Sequence, residues 1–521
     1  MLQTQSRIQN NGHWIIFGIV IALGLSTAFY LYSLDKYSLV YFGDSASHLL
    51  IARKVVDWMD PGLQQMGTVW LPLPHFMLLP FTLIDPLFTT GFAGLIVSLP
   101  CLAITTALLY KMARMHLTTG LGYATFVVAI LYVTNPNILY LGLTAMTEAP
   151  FMLFFVAAAY FMQKWYRNSE QLRNLALSAI FVALATLSRY EGWILPLFIV
   201  PFAIVLAFRD NKADSRKRIF VVLLSFISFA GIIFWLAYNQ YEYGSSLEFA
   251  KAQYYSASSQ ALSREHRAIL FLQPANVLSV YGATAFVIYG PMLLVAALAG
   301  YISHRKIKEG GKDRRMLYIF LVLPPIFTII SLLIGIGEMT FWFNSRFVIL
   351  LTPLIIMLAT VAFLPNLPDK IKKNRNLIAI VVCALFVFQI STPALGAVPT
   401  YLDARGGFFY KANPFAAQAG EALSSMYDVG TIMILTGSAQ EHRIMVTGGI
   451  PLREYDEILE SSMWKQSFHE PWSYDKWMVT SKEPDLDGIS PAKYWQDRQN
   501  VLDEHYKKVY ENEYYEILVL K

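Results

Sequence analysis

Apolar residues run along this chain in blocks of about 20, the length that crosses a bilayer core. The first block covers residues 14–32. Others fall at 91–112, 120–138, 149–164, 174–188, 193–208, 219–238, 281–301, 316–336, 347–364 and 377–396. The pattern predicts about eleven transmembrane helices. Residues 35–90 break the rhythm. There Asp44, Arg53, Lys54, Asp57, Asp60, His75 and Asp85 interrupt apolar stretches too short to cross. That segment predicts a large loop with amphipathic helices lying in the interface. From Tyr401 the pattern changes again and becomes polar and rich in tryptophan. Helical stretches at 414–427, 451–464 and 491–506 alternate with strand-like ones at 431–435, 476–480 and 515–520. This predicts a small α/β domain. The expected fold is therefore a mainly α, polytopic membrane protein, with a membrane domain at 1–400 and a soluble α/β domain at 401–521.

Composition agrees with the pattern. Hydrophobic residues make up 55% of the chain and charged residues only 15%, where a soluble protein carries about a quarter charged. The net charge of +5 is not gathered into a nucleic-acid patch, and no nucleic-acid partner is expected. The basic residues form short clusters between apolar blocks: Arg7; Lys111 and Arg114; Lys164 and Arg167; Arg209 to Arg218; His304 to Arg315; and Lys370 to Arg375. If the helices alternate, all six fall on one side, which the positive-inside rule makes cytoplasmic. The expected location is the cell membrane, with a cytoplasmic N-terminus and an extracytoplasmic C-terminal domain. Arg7 and His13 precede the first block and no small-residue cleavage site follows it, so it is expected to be a retained anchor. The two cysteines, Cys101 and Cys383, lie inside apolar blocks and support neither a disulfide framework nor a metal site. The glycines at 430, 437, 448 and 449 do not have the spacing of a nucleotide fingerprint.

The polar residues that could do chemistry gather on the expected outer loops. Asp44 and His48 lie in Tyr41-Phe-Gly-Asp-Ser-Ala-Ser-His48, and His75 ends Trp70-Leu-Pro-Leu-Pro-His75. Glu148 lies in Thr147-Glu-Ala-Pro150, and Arg189 and Glu191 in Ser188-Arg-Tyr-Glu-Gly-Trp193. Glu338 and Arg346 follow, the latter in Phe343-Asn-Ser-Arg-Phe347. Ionisable groups at helix ends of a membrane bundle are costly unless they pair or face water, so their gathering on one face marks a site. Each also has a structural reading. Asp44 can cap a helix, and His48, four residues on, shares its helical face. His75 can serve the loop or touch substrate. Glu148 suits a helix dipole, with Pro150 in the first turn. Arg189 and Glu191 can pair with one another, and Arg346 can snorkel to the interface. Arginines on the outer face oppose the topological bias, and a phosphate is a partner that fits guanidinium geometry.

In the order and sidedness of these segments, the chain resembles the GT-C superfamily of integral membrane glycosyltransferases. The likeness is to the branch of protein O-mannosyltransferases and of the bacterial enzymes that transfer aminoarabinose to lipid A. It rests on Gly43-Asp-Ser in a long loop after the first helix and on the Thr-Glu-Ala-Pro start of a later helix. It rests also on Ser-Arg-Tyr-Glu-Gly between two helices, on Arg-Phe opening a late helix that contains Pro353, and on the outer C-terminal domain. The resemblance implies a sugar donor linked to polyprenyl phosphate and a lipid, glycan or protein acceptor at the outer face of the bilayer. It implies Asp44 as the base on the acceptor, Glu148 as a second acidic position, and Arg189 and Arg346 on the lipid phosphate. His48, His75, Glu191 and Glu338 remain candidate substrate contacts. The protein O-mannosyltransferases carry two adjacent acids in the first loop, whereas Ser45 follows Asp44 here, which leaves the acceptor open.

The chemistry needs a base near the acceptor and stabilisation of a departing phosphate. No dense acidic cluster fit for a divalent ion is visible, so no metal and no cofactor is expected. The alternative is a transporter or flippase of a lipid-linked sugar. Such a protein is expected to show hydropathy repeats and mid-bilayer polar groups in broken helices, and this sequence shows neither.

Overall fold

The computed structural model describes residues 2–117, 124–209, 214–251, 269–305, 311–340, 343–364, 398–404, 413–435, 442–457, 464–482 and 491–521. The chain packs as two compact units. Unit 1 holds residues 1–26, 98–142 and 147–401, and unit 2 holds 27–97, 143–146 and 402–521. Two long helices, α1 (Leu2–Leu34) and α5 (Phe92–His116), contribute residues to each.

Unit 1 is helical throughout its described residues. Among those residues of the whole chain, 7 helices are long and apolar enough to cross a membrane: Asn11–Leu34, Phe92–His116, Tyr190–Arg209, Ser215–Tyr243, Pro274–His304, Lys312–Leu333 and Ser345–Ala362. The protein is a multi-span membrane protein. The block expected at 120–138 is divided into α6 (Ala124–Val133) and α7 (Pro136–Leu141). Asn135 makes the break. Its Oδ1 accepts from the backbone nitrogens of Asn137 (3.0 Å) and Ile138 (3.4 Å), and Pro136 fills the first helical position, where its missing N–H costs nothing. Helix α8 (Glu148–Arg167) has 20 residues, a length of about 30 Å. It packs along the shorter α9 (Leu172–Thr186), and Ser178 Oγ donates to Ala158 O at 2.9 Å. Helix α10 (Ile194–Arg209) follows, then α11 (Ser215–Phe226) and α12 (Ala230–Tyr243). The helix Pro274–Arg305 kinks at Gly290, where φ is 73°, just before Pro291, which cannot donate within a helix. The block expected at 347–364 is a 3₁₀ turn (Ser345–Leu351), an α-helix (Thr352–Met357) and a π turn (Leu358–Ala362). The block expected at 377–396 lies outside the described residues.

The basic clusters at the ends of these helices are tied together. Arg167, at the end of α8, donates to Asp313 Oδ2 from Nη2 (2.6 Å) and Nε (2.8 Å). Lys217, in the first turn of α11, reaches Glu170 at 2.6 Å.

Unit 2 is an α/β assembly around a five-stranded sheet of order β2-β1-β3-β5-β4. The strands are β1 (Ile432–Leu435), β2 (Tyr455–Glu457), β3 (Trp477–Ser481), β4 (Tyr506–Glu511) and β5 (Tyr515–Leu520). Strands β2, β1 and β3 run parallel, while β5 is antiparallel to both β3 and β4. The central strands read as continuous apolar runs because both faces are covered. Ile432, Ile434, Val479 and Ile517 face one core with Ala416, Leu423 and Ile444, and Met433, Met478 and Leu518 face another with Trp495 and Leu502.

The first of these cores is completed from the N-terminal loop. Helix α2 (Gly43–Lys54) contributes Ala46, Leu49 and Leu50, and α3 (Leu73–Thr82) contributes Leu78. Helix α2 is wrapped by protein: of its residues only Asp44 and Ile51 are not buried. The short α4 (Asp85–Thr89) places Phe88 in the same core. The tail differs from expectation in two places. The stretch 451–464, expected as helix, holds a short 3₁₀ turn and strand β2, with 458–463 outside the described residues. The stretch 491–506, expected as helix, holds two short helices, Pro491–Gln496 and Gln499–His505, and the unexpected strand is β4, which starts at Tyr506 and has three exposed residues in a row rather than an alternating pattern.

Candidate functional site

Within unit 1, four of the expected site residues meet at the head of α8. Glu148 is its first residue, placed there by a chain that enters through Thr147. Arg189 stands just before the 3₁₀ turn Tyr190–Trp193, which carries Glu191. Arg346 opens the 3₁₀ turn Ser345–Leu351. Asn344, immediately before that turn, has φ 54°, a left-handed conformation that Asn tolerates better than most residues. Its side chain also donates to Glu338 O at 3.0 Å.

The charges interlock. Arg189 Nη1 donates to Glu148 Oε1 at 2.7 Å and to Thr147 Oγ1 at 2.9 Å. Its Nη2 and Nε reach Glu191 Oε1 (2.7 Å) and Oε2 (3.2 Å). Arg346 Nε lies 3.4 Å from the same Glu148 Oε1. Both guanidinium groups stand over the Phe347 ring, at 5.5 Å and 5.7 Å from its centroid. Glu148 is 2% exposed, Glu191 7% and Arg346 9%. Two acids and two guanidinium groups thus balance each other in a site largely removed from water, which isolated charges could not do. Glu148 Oε2 is buried without a hydrogen-bond partner among the described residues. Buried carboxylate oxygens rarely remain so, and this one marks a position where a donor from a ligand or water would fit. Glu338 is half-buried in the loop before Asn344.

Within unit 2, Asp44 lies in the first turn of α2 and is partly exposed. His48, one turn on, has its Nδ1 2.9 Å from His75 Nε2 and its ring 4.7 Å from Trp70. His75 has no exposed surface. Burial, helped by the neighbouring His48, pushes its pKa well below the usual histidine value, so His75 is a neutral ring that orients His48. No group of acids, histidines or cysteines among the described residues is arranged to hold a metal ion.

Residues 72–235 match the family described as dolichyl-phosphate-mannose-protein mannosyltransferase. Comparison with curated protein sequences gives no match. Among solved structures, ArnT from Cupriavidus metallidurans in the apo state superposes with a TM-score of 0.60 at 11% identity, over 96% of this chain and 97% of that one. The same protein bound to undecaprenyl phosphate gives 0.57, with the same identity and coverage. This chain has the fold of ArnT. The archaeal oligosaccharyltransferase AglB from Archaeoglobus fulgidus, in complex with an inhibitory peptide and a dolichol-phosphate, gives a TM-score of 0.51 at 13% identity. That match covers 96% of this chain and 73% of AglB.

Several residues of this chain escaped sequence reading. Thr147 joins the Arg189 cluster, and its only signal was adjacency to Glu148. Ser47, His442, Glu457 and Lys54 form a polar row in unit 2 in which all but the partly exposed His442 are buried, and the buried Arg443 stands next to it in sequence. Their sequence separation, 403 residues between Lys54 and Glu457, left no local pattern to find.

Proposed function

We propose that the protein is a glycosyltransferase that moves a sugar from a polyprenyl-phosphate carrier to an acceptor at the outer face of the membrane. Asp44 is the base in this reading. The observation that carries it is the buried group of Glu148, Arg189, Glu191 and Arg346, drawn from three separate segments of a GT-C fold. A structural ion pair needs two charges. Four, with an unpaired carboxylate oxygen among them, suit a site that receives a charged ligand. Fold alone does not give function, so the residues must carry the assignment.

In this scheme an acceptor oxygen attacks the anomeric carbon of the sugar, and its proton passes to the Asp44 carboxylate. The bond from the anomeric carbon to the phosphate oxygen breaks, and polyprenyl phosphate leaves. A base of this kind contributes about 10²–10⁴ in rate. The leaving group is already an anion and needs positive charge more than a proton. Arg346 is assigned to it, with Arg189 holding Glu148 and Glu191 in place beside it. The undecaprenyl phosphate in ArnT and the dolichol-phosphate and peptide in AglB support this donor class and a lipid or peptide acceptor. The partial family match supports a hexosyl donor of mannose type.

The test uses the full chain in liposomes with radiolabelled undecaprenyl-phosphate sugars, mannose first, and host lipids and membrane proteins as acceptors. The wild type is expected to move label off the carrier. Asp44→Asn is expected to lose about 10²–10⁴ of the rate with thermal unfolding unchanged. Undiminished transfer by that variant removes Asp44 as the base, and no transfer by the wild type from any carrier removes the reading.

A further inference from the structure

We propose that the C-terminal segment grips the Asp44 helix, with His442 and Arg443 as the positioning residues that set where Asp44 stands. The inference rests on the reading of Asp44 as the base. Two adjacent side chains hold α2 from both sides of that residue. Behind Asp44, Arg443 is fully buried. Its Nε donates to Val40 O at 2.8 Å, and its Nη2 donates to Tyr41 O. The last carbonyls before Phe42-Gly43-Asp44 are therefore pinned by a charged donor, the stronger kind of hydrogen bond.

Ahead of Asp44, the Ser47 hydroxyl lies 2.7 Å from His442 Nδ1. Ser47 Oγ also lies 3.0 Å from Gly43 O, the carbonyl just before Asp44. His442 Nε2 stands 2.8 Å from Glu457 Oε1, and Glu457 Oε2 stands 2.5 Å from Lys54 Nζ. The row thus begins and ends on α2, because Ser47 and Lys54 are seven residues, about two turns, apart on one face. The strand β2 supplies the carboxylate that stands between His442 and Lys54. Burial alone would raise the Glu457 pKa, but Lys54 and His442 outweigh it and hold the carboxyl well below the usual range. An ionised carboxylate only accepts, so His442 Nε2 carries the proton it shares.

A serine–histidine–carboxylate row also suggests a nucleophile. Burial excludes that use, because Ser47 is 0% exposed, Lys54 2% and Glu457 1%. No substrate reaches the hydroxyl, so the row positions and does not react. Asp44 itself is the partly exposed residue of this stretch. A small displacement of a catalytic group costs about 10² in rate without loss of fold, and this is the size of effect expected.

The experiment compares the full-length wild type with His442→Ala, His442→Asn and Arg443→Met. Asn places its side-chain amide where Nδ1 stands, so it can keep a hydrogen bond to Ser47. The first measurement is amide hydrogen exchange in detergent. His442→Ala and Arg443→Met are expected to raise exchange in residues 37–50, while β1 and β3 keep wild-type protection. The second is transfer of radiolabelled sugar by the donor that the wild type uses. His442→Ala is expected to lower kcat about tenfold to a hundredfold with the donor KM within about twofold, and His442→Asn to recover most of the loss. Unchanged exchange at 37–50 in both loss variants overturns the inference whatever the activity. Exchange raised equally across the sheet also overturns it, because the residues are then general supports of the fold. A wild type without transfer defeats the functional reading, and the exchange result still decides whether these residues hold the helix.

Discussion

Arg189 shows how a single residue organises this protein. Its guanidinium has a planar fork of donors, and Glu148, Glu191 and Thr147 take up that fork on one side of the bundle. Sequence reading left open whether Arg189 pairs with Glu191 or serves a phosphate. The geometry shows the pairing and adds Glu148 to it. In unit 2, Asp475 tells a different story about charge. Its side chain is buried, both carboxyl oxygens lack hydrogen-bond partners among the described residues, and burial together with Asp456 pushes its pKa up to about 8. A carboxyl raised in the fold binds its proton more tightly than in the unfolded chain. It therefore adds stability that is full below about pH 4, the unfolded value, and that falls as pH rises towards 8. Thermal unfolding of the wild type is expected to drop between about pH 4 and pH 8 and to level off above that. Asp475→Asn, which keeps the shape and removes the charge, is expected to flatten that slope. An unchanged slope would mean that Asp475 does not titrate there.

The element that fixes the charged cluster is the 3₁₀ turn Tyr190–Trp193. It approaches the end of α9 so closely that a Cβ on Gly192 would lie 2.7 Å from Ala185 O. The obstacle is backbone, which cannot swing aside. Trp193 Nε1 completes the contact by donating to Thr186 O at 3.1 Å. Gly192→Ala is expected to destabilise the protein by about 1–3 kcal/mol through this overpacking and to loosen Glu191 with it. The same change at Gly18 of α1, where nothing lies within 4 Å, is expected to be neutral or stabilising. Thermal unfolding of both variants in one detergent checks the pair, and equal shifts would contradict the close approach. Other elements follow the same rule of local cause. Asn135 and Pro136 divide an apolar block into two helices, and the sequence carried that signal in plain letters. Strand β2 carried none: three residues are too few for a period to show, and parallel pairing with β1 decides its form.

At the scale of the whole molecule, the ends of α8 set a direction. Glu148 begins the helix beside Arg189 and Arg346, and Arg167 ends it beside Asp313. About 30 Å of helix separates the two, the thickness of a bilayer core. By the positive-inside rule the Arg167 end is expected to be cytoplasmic, and under that expectation the tail is external. In a chain whose native cysteines are replaced by alanine, a membrane-impermeant maleimide is expected to label Tyr474→Cys on intact cells, since Tyr474 is 42% exposed. Asn168→Cys is expected to react only after permeabilisation. The reverse pattern would invert the protein and place the charged cluster on the cytoplasmic side.

Hydropathy alone determined that this chain spans a membrane many times and that a polar segment holding both helices and strands follows the apolar blocks. Those properties are sums over neighbours in sequence, so a linear reading captures them. Only tertiary structure decided that Ala46, Leu49 and Leu50 of the first loop complete the core beneath the C-terminal sheet. Only it paired Lys54 with Glu457 and gave Arg443 the carbonyls of Val40 and Tyr41. Such contacts join residues some 400 positions apart. Nothing local encodes them, because a buried lysine and a buried glutamate are each unstable until the fold brings the other within reach.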